Sequence, residues 1–239
     1  MALRASNQIR AETVDKRSLL RAHPFFKGLD EAAIDWLVPH AHSRKLKKGS
    51  VLFHKGDTGT KLYVVCSGAV RISCTSEEGN DAILNLIMPG DIFGEISLLD
   101  RGPRTADAVI IEESEIMEIE RKDFTEVLRR YPDVAMRLIE ILCSRLRRTS
   151  EQVEDIVFLS LPHRLAKTLL HLHQRSSSDE APTKLRITQH EISQMIGASR
   201  ESTNKQLREW ERHKWLRLER NCIVIIAPES LKSLVPESE

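Results

Sequence analysis

The 239-residue sequence has almost no charge bias: 36 Lys and Arg face 35 Asp and Glu, a formal net charge of +1. That balance makes no case for a polyanionic partner and excludes none, since a basic face can be offset elsewhere on the surface. No apolar run approaches membrane-spanning length. The first twenty residues are polar and mixed in charge, without the apolar core of a signal peptide. No membrane association is expected. The four cysteines, Cys66, Cys74, Cys143 and Cys222, form no CxxC pair. Scattered in this way they fit free thiols in a reducing cytoplasm, each packed as a small buried hydrophobe. There is no Walker loop, GxSxG or HExxH, so no enzyme signature. His40-x-His42 would put two imidazoles on one strand face, but a metal site needs further ligands. His171-x-His173 falls on a predicted helix, where positions i and i+2 diverge, and is expected at the surface. With 41% hydrophobic residues the chain supports two modest domains.

A long stretch without Gly or Pro runs from Asp133 to about Leu159, bounded by Pro132 and Pro162. Ala135, Ile139, Leu142, Leu146, Thr149, Val153 and Ile156 fall alternately four and three apart. That heptad spacing predicts one long helix that packs along an identical partner. Leu138, Ile141 and Val157 lie beside or off the seam and are expected to pack on the helix's own domain. The seam has one polar member, Thr149, followed by Ser150: a tolerated hydroxyl, or a place where something polar sits.

Around this helix the texture changes twice. Residues 1–20 read as a mobile or loosely helical tail. Asp30 is a plausible N-cap for a short helix carrying Ala33, Ile34, Trp36 and Leu37. From Arg44 to Ile119, short Val-, Ile- and Leu-rich runs alternate with glycine-containing turns, predicting an antiparallel roll of short strands. Glu78-Gly79-Asn80 is a candidate hairpin turn. Beyond the long helix, Pro162–Gln174 shows largely helical leucine spacing. Thr188 and Glu191 form a capping box. The helix they open ends at Gly197, and Ser199 can cap the next, from Arg200 to about His213. Two short helices through a Gly-containing turn predict a helix-turn-helix. Leu216–Leu218 and Ile223–Ile226, joined through Arg220-Asn221, predict a hairpin wing. The fold class is therefore α+β: an N-terminal antiparallel β-roll, a long dimerisation helix and a C-terminal winged helix-turn-helix.

The segment Pro89–Ala106, PGDIFGEISLLDRGPRTA, gathers the chemistry of an anion site. Gly94 allows close backbone approach, and Ile96–Leu99 can form one helical turn with free N–H groups. Arg104 adds a fixed bidentate cation, and Glu95 an acceptor for a hydroxyl. A phosphate-sugar ligand would use all of these; a surface loop with an Arg–Glu ion pair is the alternative.

FGEISLL followed by PRTA closely resembles the phosphate-binding cassette of cyclic-nucleotide-binding domains. Together with the long helix and the second signature, ASRESTNK at Ala198–Lys205, the chain resembles the cyclic AMP receptor protein/FNR family of bacterial transcription regulators, over about Phe25 to Ala227. The resemblance implies a tail (1–20), a cyclic-nucleotide-binding jelly roll (21–131), a dimerisation helix (132–160) and a winged helix-turn-helix DNA-binding domain (161–239).

It also implies roles. Glu95 would accept the ribose 2′-hydroxyl and Arg104 would pair with the cyclic phosphate. Thr105, with backbone near Gly94, Ile96 and Ser97, would complete the pocket. Thr149 of one chain and Ser150 of its partner would meet the purine of cyclic AMP or cyclic GMP. Arg200, Glu201 and Lys205 would read bases of palindromic double-stranded DNA, Arg forking onto guanine and Glu accepting from cytosine. Lys205 stands where the best-known members carry Arg, and Lys has no bidentate fork. Thr188, Gln189, Ser199 and Ser202 would contact phosphates, and His40, His42 and Arg44 would face RNA polymerase. Two further functions stay open: a regulator of the same fold sensing a gas or redox state, marked by bound pigment or iron, and a nucleotide-binding regulatory module that binds no DNA.

Overall fold

The computed structural model describes residues 16–77, 79, 81–175 and 182–235. These divide into two compact units: the residues up to Cys74 with Leu84–Arg145, and Thr75–Ile83 with the residues from Leu146 onward. Each is α+β.

In the first unit, α1 (described over residues 16–22) and a 3₁₀ turn at Pro24–Phe26 lead to α2 (Glu31–Leu37). Asp30 caps α2, its Oδ1 accepting from the Ala33 N–H at 2.7 Å. The roll follows: β1 (Ala41–Leu46), β2 (Val51–Phe53), β3 (Lys61–Thr75), β4 (Asp81–Ile87), β5 (Ile92–Phe93), α3 (Glu95–Asp100) and β6 (Asp107–Glu120). The sheet order is β1-β6-β3-β4, with β2 also on β6 and β5 on β3. β1, β2 and β3 pair with β6 antiparallel, and β5 pairs with β3 in the same sense. Two helices close the unit: α4 (Arg121–Arg130) and the first half of α5 (Pro132–Phe158).

Strand β3 shows why its apolar run is continuous. Side chains alternate faces along a strand. Leu62 and Val64 join a core with Phe25, Phe26, Phe124, Val134 and Leu138, whereas Tyr63 and Val65 join Phe93, Ala108, Ile110 and Ile116 inside the roll. Both faces are buried, so polar alternation is absent. Each such large apolar side chain contributes about 1.5–3 kcal/mol by burial. The strands are not all short, as the glycine punctuation implied. β3 and β6 hold 15 and 14 residues. Gly68 lies inside β3, at a register shift, with φ of 83°. A Cβ there would meet Ser114 Oγ at 2.2 Å, so this glycine marks a bulge rather than a strand end.

In the second unit, the rest of α5 is followed by α6 (Leu161–Arg175), β7 (Thr183–Leu185), α7 (Gln189–Ile196), α8 (Arg200–Arg212), β8 (Leu216–Glu219), β9 (Cys222–Ile225) and α9 (Pro228–Lys232). The small sheet runs β7-β9-β8; β7 is a strand the sequence pattern did not indicate. The capping box forms with both of its hydrogen bonds, Glu191 N–H to Thr188 Oγ1 at 3.1 Å and Thr188 N–H to Glu191 Oε2 at 2.8 Å. Gly197 ends α7 with φ of 63° and Ser199 caps α8. Asn221 turns the wing with φ of 56°.

Several expectations need correction. Val157 is 65% exposed, whereas Leu138 is buried and Ile141 packs on the core. His173 is buried and His171 half-buried. Leu165, Leu169 and His173 are four apart and share the inward stripe of α6. Burial first, then the positive charges of Arg148 and Arg175, lower the His171 pKa to about 4. Cys143 is exposed on α5; none of the four cysteines forms a disulfide, and of the four only Cys222 is buried. His40 ends a 3₁₀ turn at Val38–His40, so it does not share a strand face with His42. Residues 1–15 of the tail, and Glu78 and Asn80 of the candidate turn, lie outside the described residues.

Candidate functional site

Of the residues singled out in Pro89–Ala106, Glu95, Ser97 and Arg104 are buried in the first unit, beside a half-buried Gly94. Gly94 caps α3 with φ of 81°, and a Cβ at that position would lie 2.6 Å from an Arg104 terminal nitrogen. Only glycine gives both the left-handed turn and the close approach. Arg104 is 4% exposed. One terminal nitrogen donates to Gly94 O at 2.7 Å and Ser97 Oγ at 2.8 Å, and the other donates to Lys61 O at 2.9 Å. Its guanidinium carbon lies 4.2 Å from the centroid of the Phe53 ring and 5.4 Å from that of Tyr63. Burial pulls the Arg104 guanidinium below its ordinary pKa and pushes the Tyr63 phenol up. The arginine still carries its charge at any physiological pH. Its Nε is buried with no acceptor among the described residues.

Glu95 is 2% exposed. Its carboxylate pairs with Arg145 of α5 at 2.5 Å, and the same guanidinium also donates to Ile92 O. The surface-loop alternative is therefore wrong in both respects: the two charges are buried, and Glu95 pairs with Arg145 in place of Arg104. Arg145 was missed in the sequence. The available signal was its place one helical turn before Thr149, on the same face of α5.

The donor set fits a small anion joined to a hydroxyl donor. A buried guanidinium with an orphan N–H, the Ser97 hydroxyl and the backbone at the start of α3 lie side by side. A buried carboxylate stands two residues from Ser97. A carboxylate has about four lone-pair positions, so Glu95 can keep Arg145 and accept a further hydroxyl. Thr105 is exposed at the rim, as is Ile96.

In the second unit, α8 buries Thr203, Leu207 and Trp210 and leaves Arg200, Glu201, Ser202 and Lys205 exposed. The exposed four cluster in the first turns of the helix, the end that reaches base edges in a helix-turn-helix. Thr188 and Ser199 already use their hydroxyls as caps. Ser202 accepts from Ser199 at 2.9 Å, and Gln189 is half-buried at the start of α7. Thr149 and Ser150 are exposed on the second half of α5, with Ser150 donating to Leu146 O at 3.1 Å. They belong to the second unit, not to that of Arg104.

A protein-family model described as cyclic nucleotide-binding domain matches residues 43–131, and one described as Crp-like helix-turn-helix domain matches residues 163–234. The "CRP-like cAMP-activated global transcriptional regulator" of Mycobacterium tuberculosis is 35% identical over 210 residues, 86% of this chain and 93% of that protein. The chain belongs to the CRP/FNR family of transcription regulators. The "Cyclic AMP receptor protein" of Thermus thermophilus is 34% identical over 188 residues, 79% of this chain and 85% of that protein. The crystal structure of Thermus thermophilus catabolite activator protein aligns with a TM-score of 0.51 at 32% identity, over 88% of this chain and 97% of that one.

Within this CRP/FNR chain the expected polymerase-facing residues divide. His42 and Arg44 are exposed on β1, and Arg44 reaches Glu118 at 2.9 Å. His40 stacks on Trp36 at 4.4 Å, and its Nδ1 lies 2.6 Å from Trp36 O. A carbonyl only accepts, so that nitrogen carries the proton.

Proposed function

We propose that this transcription regulator responds to a cyclic nucleotide and binds palindromic DNA in a sequence-specific manner as a homodimer. The observation that carries this reading is the buried pair of Arg104, beside Ser97 Oγ, and Glu95, beside Arg145. A 3′,5′-cyclic nucleotide offers one phosphate monoanion and one free ribose hydroxyl, which matches that donor set. Arg104, Ser97, the Gly94–Ile96 backbone and Thr105 hold the phosphate. Glu95 accepts the 2′-hydroxyl while Arg145 keeps its carboxylate charged and in place. Cyclic AMP is the favoured ligand, given the names of the two relatives; cyclic GMP is a second candidate, since the hydroxyls of Thr149 and Ser150 can donate or accept.

Residues 21–131 form the ligand domain in this account, 132–160 the dimer helix and 161–239 the DNA-binding domain. Ile139, Leu146, Val153 and Ile156 are 50–69% exposed along one seam of α5, which a second copy would cover. Ligand contact through Arg145, Thr149 and Ser150 falls on that same helix. A ligand shifts the dimer only through different affinity for its two arrangements. The DNA-competent arrangement sets the two α8 helices about 34 Å apart, in successive major grooves. Arg200, Glu201 and Lys205 read bases. Gln189, Ser202 and the capped starts of α7 and α8, at Thr188 and Ser199, contact phosphates. His42 and Arg44, with His40 beside them, face RNA polymerase in the cytoplasm.

The test is fluorescence anisotropy of a labelled palindromic duplex at fixed salt. Tighter binding with cyclic nucleotide, and a large loss on a single half-site, supports the proposal. Ligand-independent affinity equal on both duplexes refutes it.

A further inference from the structure

Arg121, the first residue of α4, lies outside every motif above, yet it touches the β2–β3 loop and α3 at once. One of its terminal nitrogens donates to Gly59 O at 2.5 Å and to Ser97 O at 2.9 Å. Its backbone N–H donates to Thr60 O at 2.8 Å. Gly59 and Thr60 belong to the loop between β2 and β3. That loop is joined to the arginine segment by Gly56 N–H to Arg104 O and Arg104 N–H to Asp57 O, both at 2.8 Å, and by the bridge between Thr58 and Pro103. It also presses on the pocket side chains. A Cβ at Gly59 would lie 2.1 Å from Ser97 Oγ and 2.8 Å from Arg104 Nε. Ser97 is thus held at both ends by arginine, its hydroxyl by Arg104 and its carbonyl by Arg121.

The chemistry of the two arginines matches. Both donate to carbonyls, Arg104 also to hydroxyls, and no carboxylate forms an ion pair with either among the described residues, although the Glu95 charge acts on Arg104 at longer range. The Nε of Arg121, like that of Arg104, is buried without an acceptor among those residues. Two neighbouring guanidiniums, neither in an ion pair with a carboxylate among the described residues, add to a local positive field suited to an anion.

We propose that Arg121 is a positioning residue for the phosphate end of the pocket: it fastens the β2–β3 loop to α3 and so fixes Ser97 and Arg104 against one exocyclic phosphate oxygen. This rests on the cyclic-nucleotide reading above. Arg121 touches no ligand itself. It sets where the Ser97 hydroxyl and the Arg104 guanidinium meet the phosphate, and its charge adds to their field.

The test uses the full chain and three probes: cyclic AMP and its Rp and Sp phosphorothioate diastereomers, in which sulfur replaces one exocyclic oxygen or the other. Affinities are measured by calorimetry for wild type, Arg121→Met and Arg121→Lys, with the unliganded melting temperature recorded for each. Wild type discriminates the diastereomers by roughly tenfold or more, because a fixed donor pair meets one oxygen and sulfur accepts hydrogen bonds poorly. Arg121→Met loses roughly tenfold in cyclic AMP affinity, and its diastereomer ratio moves toward one. Arg121→Lys, whose ammonium can still donate to both carbonyls, falls between the two in both measures. An affinity loss with an unchanged ratio would mean general loosening and would overturn the inference. So would wild-type behaviour in a folded variant, or a wild type that does not discriminate. If Arg121→Met does not fold, the ratio in Arg121→Lys decides alone. A wild type that binds no cyclic nucleotide overturns the functional reading itself, a result distinct from any of these.

Discussion

Replacing Arg104 by Leu removes a buried cation from the proposed ligand pocket while keeping an apolar stem against Phe53. Two effects separate. For the ligand, a phosphate loses two charge-assisted hydrogen bonds, each about 1.5–3 kcal/mol. The loss is then about 3–6 kcal/mol, or roughly two to four decades in Kd. The lower end is expected, because Arg104 already donates to Gly94 O, Ser97 Oγ and Lys61 O and must share or redirect those bonds when a phosphate arrives. For the fold, Gly94 O and Lys61 O lose a donor, at about 1–3 kcal/mol per unsatisfied buried group. Relief from burying an unpaired charge with an orphan Nε offsets part of that. The variant is therefore expected to fold with a modestly lower Tm and to bind cyclic AMP at least 100-fold more weakly (about 2.7 kcal/mol). Calorimetry measures the affinity, and differential scanning calorimetry the stability. A folded Arg104→Leu protein with wild-type affinity would refute the pocket assignment outright.

Other perturbations probe separate parts of the account. Glu201→Ala should relax base choice at one operator position by about 1–3 kcal/mol, whereas Lys205→Ala should weaken binding more evenly across sequences; a selection on randomised operators that returns an unchanged consensus for Glu201→Ala would count against base reading. Thr149→Val keeps shape and removes the hydroxyl, so it should spare most cyclic AMP binding but reduce the ligand-induced gain in DNA affinity, measured at saturating ligand and fixed salt; an undiminished gain would move the switch away from the seam. Leu146→Glu, at the most exposed of the large apolar seam positions, should yield monomers in sedimentation velocity, and a persistent dimer would reject α5 as the interface. His171, lowered to about 4 by burial and by Arg148 and Arg175, starts from an ordinary value near 6.5 when unfolded. Between those values the unfolded chain binds more protons, so stability falls as pH drops from about 6.5 toward 4; His171→Gln should flatten that limb in denaturant titrations, and an unchanged slope would contradict the assignment.

What the sequence made legible was mostly local. The Thr188–Glu191 capping box, the Asp30 and Ser199 caps and the Gly197 stop each depend on residues a few positions apart, and each forms. The seam of α5 was legible because periodicity alone places Leu146 and Val153 on one face. Tertiary pairing was not legible. Glu95 and Arg145 are 50 residues apart, and Arg121 reaches Gly59 across 62; nothing in the spacing links them. His173 was misplaced because the divergence of positions i and i+2 says the two histidines part, not which of them turns inward; the four-residue steps from Leu165 through Leu169 carried that information. The length of β3 was not legible, because a mid-strand glycine such as Gly68 looks like turn punctuation until Ser114 is seen packed against it.

The central claim is that ligand pocket and DNA-reading helices are thermodynamically coupled, and coupling of equilibria is reciprocal. Calorimetric titration of the full chain with cyclic AMP, and in parallel with cyclic GMP, in the absence and presence of a saturating palindromic duplex tests it most directly. The account predicts that the duplex raises affinity for the activating nucleotide, by the same factor by which that nucleotide raises affinity for the duplex. Identical nucleotide affinities with and without DNA, or no nucleotide binding in either titration, would contradict it.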